Sequence, residues 1–391
     1  TDMGKSIRIT GVWLLVLAFY MPLMAQKNIA FADGVNKQKE LNLSDVASGV
    51  RYIPLETTTE SLLDKDILDV TFTADYLFVC DYGKVFQFTP EGKFVRQIGR
   101  VGQGPGEYNQ SVLAVAYDAA KKQIFLSDMR QGKVLVYSFD GTFIKDIKTE
   151  VGATSPYVDA AGNLFTMSSE YLHSKDRKGD DLFVYNQDGK RLYGLPFHFE
   201  KGKSYPGIVF VPAILYPYDG NLFYKNPLES TIFRLDGKKK VPVYKLDLSQ
   251  YEKLSAEEEK LLLDTKNKAG TALSNEKKFY FYTLMETGKQ MGIYYAQEDE
   301  RRFAWYDKQT GKVCRVRSPH ADKDGFTDDL EGGCPVMPYF LRDGKLIGVV
   351  PASVLLDKVK PGQAKGSLKQ VIEDLMEDDN QVLQVITLNT K

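Results

Sequence analysis

Leu77-Phe78-Val79-Cys80-Asp81, then Lys84-Val85-Phe86-Gln87-Phe88, then the turn Pro90-Glu91-Gly92 and Lys93-Phe94-Val95-Arg96-Gln97-Ile98, is the stretch from which the fold can be read. Its apolar residues come in short runs between turn formers, with no helical period, so they read as strands joined by hairpins. The same order returns in Ile124-Phe125-Leu126-Ser127-Asp128, Lys133-Val134-Leu135-Val136-Tyr137, the turn Phe139-Asp140-Gly141, and Thr142-Phe143-Ile144-Lys145-Asp146-Ile147. Weaker copies pair Leu164-Phe165-Thr166 with 182–185, Leu222-Phe223-Tyr224 with 232–235, and Gly292-Ile293-Tyr294-Tyr295 with 303–306. A last copy begins at Leu346-Ile347-Gly348-Val349-Val350.

The copies recur every roughly 40 to 70 residues, the period of a β-propeller blade with insertions. Ser111 to Tyr117 supplies an inner strand for the second copy, so each blade is a four-stranded antiparallel meander. Asp-Gly pairs at the hairpin tips fit the positive φ of two-residue turns. Val50 to Leu55 and Gln381 to Ile386 are left without a complete blade. Pairing them in one sheet would close the ring and remove two exposed edges. The expected fold is all-β, a six-bladed β-propeller of four-stranded antiparallel blades spanning 26–391. Two short helical insertions are expected within it. Ser255-Ala256-Glu257-Glu258 forms a capping box that opens one through about Asn267, and Ser367-Leu368-Lys369-Gln370 opens another through about Met376.

Ile98-Gly99-Arg100-Val101-Gly102-Gln103-Gly104-Pro105-Gly106-Glu107-Tyr108, set between two such repeats, resembles the linker of NHL-type propellers. More closely, the chain is similar to the six-bladed β-propeller proteins exported in large numbers by gut Bacteroidetes. Tyr52-Ile53-Pro54-Leu55-Glu56-Thr57 resembles the opening segment of that family, and Glu377-Asp378-Asp379-Asn380 before Val382-Leu383 resembles its closing segment. Gln381 departs from the Pro usual there. The resemblance implies the fold and export, and it carries over no catalytic residue.

Lys5 and Arg8 precede an apolar run from Gly11 to Ala25, the layout of a secretory signal peptide. Residues 1–25 are expected to be that signal, giving a mature form that begins at Gln26 and has no membrane span. Export then places the protein in the periplasm, on the outer-membrane surface or outside the cell.

Of the 391 residues, 51 are Lys or Arg and 52 are Asp or Glu, so no net positive field exists to hold a phosphate backbone, and nucleic acid is excluded as a partner class. With 3 His and 3 Cys the chain is poor in metal ligands, and no CxxC pair is present. Cys80, inside an apolar strand, reads as a buried structural thiol. G-x-S-x-G and H-E-x-x-H are absent. Asp322-Lys323-Asp324-Gly325-Phe326-Thr327-Asp328-Asp329 begins like a calcium loop, but Phe326 and Thr327 stand where a ligand and a Gly are required. The Gly99 to Gly106 run lacks the Lys-Ser/Thr of a phosphate loop. The sequence therefore points to no catalytic residue, no metal and no cofactor.

Propeller geometry does single out one face. The linker from one blade's outer strand to the next blade's inner strand opens on the same side as the turn between a blade's second and third strands. Tyr82, Arg100, Glu107, Tyr108, Arg130, Tyr171, His173, Glu229 and Arg301 are expected to gather there. Tyrosines give stacking area and arginines forked hydrogen bonds, which suits a polar ligand. The expected function is an exported binding or scaffolding module for a glycan, a peptide or an envelope protein. The competing class is a lactonase-like hydrolase or a lyase with a divalent metal on the axis bound by buried acids; His173, His198 and His320 are scattered without metal-ligand spacing and read as loop histidines.

Overall fold

The computed structural model describes residues 26–64, 66–109, 112–150, 153–168, 180–196, 214–225, 230–248, 279–297, 300–318, 324–342, 344–360 and 362–389. Their strands build six blades around one axis. The first blade runs outward from the axis as Ile67–Phe72, Leu77–Asp81, Lys84–Phe88 and Phe94–Gln97. The second runs as Val112–Asp118, Gln123–Asp128, Lys133–Ser138 and Phe143–Lys148. The third, fourth and fifth start at Ala153, Ile214 and Tyr280 and end at Pro196, Leu246 and Val316. Middle strands are covered by neighbouring blades on both faces, so Leu77 to Cys80 and Val134 to Val136 are fully buried and read as continuous apolar runs. Outer strands have one covered face, and Phe143–Lys148 accordingly alternates.

The sixth blade is shared between the two ends of the chain. Phe340–Arg342, Lys345–Val350 and Val382–Leu388 are followed outward by Ala47–Pro54, with Val382 opposite Pro54 and Ile386 opposite Val50. This is the pairing anticipated for the two orphan strands. Burial of Val382, Leu383 and Ile386 with Ile53 and Leu55 binds the termini into the ring. Toward the axis, Asp69 accepts from Val115 N at 2.9 Å and meets Arg342 at 2.6 Å, so the inner strands of the sixth, first and second blades are tied together.

The segment before the closing strand was not anticipated. Lys27–Ile29 adds in parallel to the outer strand of the fourth blade, and Gln38–Lys39 adds in parallel to that of the fifth. Between them the helix Phe31–Val35 drops Phe31 into the wedge between these blades, edge-on to Phe279, Phe281 and Tyr295 at 5.2–5.3 Å. A Cβ on Gly34 would stand 2.5 Å from Val313 Cβ, so only glycine lets the helix lie this close.

The later helix runs Gly366–Asp374, and Ser367 is inside it rather than at its cap. The Ser367 hydroxyl instead donates to Glu331 and accepts from Tyr52 N, joining the helix to the closing strand. Residues 1–25 and the capping box at Ser255 lie outside the described residues. Cys80, Cys314 and Cys334 are free thiols, and burial raises the Cys80 pKa well above its ordinary value.

Candidate binding face

The two ends of the ring differ in build. Turns on the far side are tight hairpins with glycine at positive φ, such as Gly92, Gly141 and Gly189. The side chosen from the sequence carries the inter-blade linkers and the long insertion of the sixth blade. Exposed large apolar side chains gather at its segments, namely Leu62, Tyr82, Val101, Leu113, Tyr282 and Met376, whereas Ile144 and Leu192 lie on outer strands.

A repeated carboxylate anchors the linkers. Asp81 and Asp128 end the second strands of the first two blades, and each accepts an amide of the incoming linker, from Asp64 and Asn109 respectively, at 2.7 Å. The turn after Asp128 is long enough for Gln131 N to donate to its other oxygen at 3.1 Å. The turn after Asp81 is only Tyr82-Gly83, and Asp81 Oδ1 stays buried without a partner among the described residues. Desolvation therefore raises the Asp81 pKa above 3.8, with Asp64 and Asp66 adding repulsion. A raised folded-state pKa gives stability that is complete below 3.8 and is lost as pH rises through the folded value. On this basis, the melting-temperature difference between Asp81→Asn and the parent should move in the parent's favour as pH falls from 7 towards 3. A difference flat across that range in calorimetry would refute the assignment.

The Gly99 to Gly106 linker is pinned from within. Arg100 and Val101 pair in parallel with Glu107 and Tyr108, and Glu107 accepts Gly104 N at 2.8 Å while pairing with Arg100 at 2.5 Å. The Gly104 amide, and then Arg100, lower the Glu107 pKa. Tyr108 corrects the expectation. It is fully buried between the first two blades and donates to Ile98 O at 2.9 Å, and burial pushes its pKa up to about 12. It is a core residue and presents nothing at the ring mouth.

Four of the expected residues are exposed on this face, Arg100 among them although its head is paired with Glu107. Tyr82 is 52% exposed at φ 27°, a position in a two-residue turn that favours Asn or Gly. Arg130 is exposed in the corresponding turn of the second blade. Arg301, at the start of a third strand, lies 6.0 Å from the ring centroid of Tyr282, beside Tyr294 and Tyr339. Tyr294 meets Tyr282 at 5.3 Å and Tyr339 at 5.1 Å, so these three rings and Arg301 form one cluster across the fifth and sixth blades. Tyr282, 39% exposed on an innermost strand, was missed from the sequence, where it looks like any other aromatic in a Tyr-Phe-Tyr strand. Tyr171, His173 and Glu229 lie outside the described residues, as do His198 and His320. Among the described residues no group of His, Cys, Asp and Glu is arranged to hold a metal, and no helix is long and apolar enough to cross a membrane. The described acids of the Asp322–Asp329 loop have structural partners, with Asp324 on Arg315, Asp328 on Tyr52 and Asp329 on Ser44.

Fold and face together define a six-bladed β-propeller module. The chain belongs to the family described as Domain of unknown function (DUF4934), whose model matches residues 26–387. Among solved structures it is similar to a Bacteroides fragilis protein proposed to be exported, at 21% identity and a TM-score of 0.67 over 93% of this chain and 100% of that one. It is also similar to a member of the DUF4221 family from Bacteroides vulgatus, at 11% identity and a TM-score of 0.53 over 87% of this chain and 96% of that one. No curated protein matched the sequence.

Proposed function

We propose that this propeller is an exported binding module whose linker face holds a polar ligand, a glycan or a peptide presented in the cell envelope. The observation that carries the reading is Tyr82. A large aromatic at positive φ costs backbone energy and regains little by burial, since it is 52% exposed, and such strain is retained where a side chain is used. Tyr282 with Arg301 offers a second stacking surface and a guanidinium on the same face. Export is supported by the basic start and apolar run of Lys5 to Ala25.

Arrays of glycans and of peptides probed with the purified protein test this reading and separate the two ligand classes. For any ligand found, Tyr82→Asn should raise the melting temperature slightly while weakening binding, and Arg301→Ala with Tyr282→Ala should cost about 1–3 kcal/mol of affinity. Thr142→Ala and Lys190→Ala, at the hairpin tips of the opposite face, should leave affinity unchanged. The reverse ranking at unchanged stability places the site on the other side of the ring.

A further inference from the structure

The three most exposed large apolar side chains among the described residues stand at one corner of the linker face, where the sixth blade meets the first. Leu62 is 59% exposed on the linker from the closing strand into the first blade, Tyr82 is 52% exposed in the turn after Asp81, and Met376 is 62% exposed just after the helix Gly366–Asp374.

Buried hydrogen bonds hold these three segments together. Asn380, on the same segment as Met376, accepts Leu63 N at 2.9 Å and donates to Ser61 O at 2.9 Å. Gln381 donates to Asp64 O at 2.6 Å, and Asp64 N donates to the Asp81 carboxylate at 2.7 Å, next to Tyr82. Asn380, Gln381 and Asp81 are all buried, so side chains that gain little from burial are mounted on a frame fixed by it. Such preorganisation lowers the entropy cost of association.

The corner is also acidic. Glu60, Asp64, Asp66, Glu377 and Asp378 are exposed around it, and among the described residues none of them is in an ion pair. Segments 56–66, 81–84 and 373–381 bring Lys65 and Lys84 as their only cations, and Lys84 stands opposite Asp81 in its hairpin. The whole chain carries a net charge of only -1, so this excess of negative charge is local.

An exposed apolar patch rimmed by polar groups has the form of a protein docking site. Its occupant must bring apolar surface to the centre and positive charge to the rim. Neutral and acidic glycans bring no positive charge, and an anionic lipid surface is repelled. We propose that this corner docks a basic, apolar-anchored polypeptide segment of another protein, with its leucine or aromatic side chains on Leu62, Tyr82 and Met376 and its lysines or arginines on the surrounding carboxylates. The proposal rests on the linker face being the binding face, and it narrows the ligand at Tyr82 to a cationic peptide.

Fluorescence anisotropy of labelled, end-capped peptides with the whole protein tests this. In the first peptide, lysines alternate with leucine and phenylalanine; a second has glutamate for every lysine, and a third has serine for every leucine and phenylalanine. The first should bind saturably, more weakly as salt is raised, and at least about tenfold more tightly than either of the others. Leu62→Ser with Met376→Ser, and separately Glu377→Lys with Asp378→Lys, should each weaken it by at least about tenfold at unchanged melting temperature, because all four side chains are exposed. Leu192→Ser, which removes an exposed apolar side chain from an outer strand, should leave its affinity unchanged. Failure of the first peptide to bind up to millimolar concentration, equal binding of the glutamate peptide, or undiminished affinity in either double variant would each overturn the proposal. So would a dimer of the parent protein that Leu62→Ser with Met376→Ser dissolves, since a second copy would then cover the corner. An array ligand held through Tyr282 and Arg301 alongside such a failure leaves the linker face as the binding face for a different ligand, whereas silence of the arrays as well would remove both readings.

Discussion

Removing Gln381 to Lys391 should leave a chain that no longer unfolds cooperatively. Val382–Leu388 is the third strand of the sixth blade and pairs on one side with Lys345–Val350 and on the other with Ala47–Pro54. Val382, Leu383 and Ile386 are completely buried and Val385 nearly so. Each such side chain is worth about 1.5–3 kcal/mol, and the deletion also strips two neighbouring strands of their ladder partners. The summed loss is comparable with the whole of a typical stability of about 5–15 kcal/mol. Circular dichroism during heating should show a broad, non-cooperative change, together with binding of an apolar-surface dye at room temperature. A sharp transition at the parent temperature would mean that the ring closes without this strand.

Glu286→Ala should be strongly destabilising. The carboxylate lies between the fourth and fifth blades with no exposed surface, accepting Tyr216 OH at 2.9 Å and Tyr244 OH at 2.7 Å and pairing with Lys308 at 2.6 Å. Lys308 also lies 4.1 Å from the centre of the Tyr218 ring. Burial, with the Glu286 charge beside them, holds both tyrosine pKa values well above their ordinary value, so neither ionises at any ordinary pH. Truncating Glu286 leaves the mostly buried Lys308 ammonium with only Thr287 O as an acceptor and takes the partner from the buried Tyr216 hydroxyl and the half-buried Tyr244 hydroxyl, a loss of about 3 kcal/mol. The melting temperature should fall by roughly 5 °C or more. Adding Lys308→Met should recover a good part of the loss, because the stranded charge goes with it. If Glu286→Ala melts with the parent, or if the double variant is no better than the single one, the cluster is not a buried ion-pair lock.

The parts of the fold legible in the sequence are those governed by near neighbours along the chain. Leu77 to Cys80 and Ile124 to Leu126 read as strands because both their faces are buried and no polar residue interrupts them. Asp140-Gly141 and Asp188-Gly189 read as turns because their glycines adopt positive φ. The ring could be closed on paper because Tyr52 to Leu55 and Val382 to Ile386 were strands without partners. The choice of face followed from chain direction alone, since every linker and every turn between second and third strands must open on one side.

What tertiary structure alone decided is where side chains from different blades end up. Tyr108 and Tyr82 are both tyrosines in glycine-rich turns of neighbouring segments, yet one is fully buried and the other 52% exposed. The difference is made by Tyr137 and Gly99, which the fold brings against Tyr108. Lys27–Ile29 and Gln38–Lys39 are too short to register as strands, and their parallel pairing depends on the outer edges of two blades that form some 200 or more residues later in the chain. The corner at Leu62 likewise exists only where its linker meets the Tyr82 turn and the segment of Met376 and Asn380. Strand and turn propensities act over a few residues and repeat from blade to blade, so the sequence determined the architecture. Sites are built from contacts between distant segments that no local pattern encodes, so only packing of the closed ring decided them.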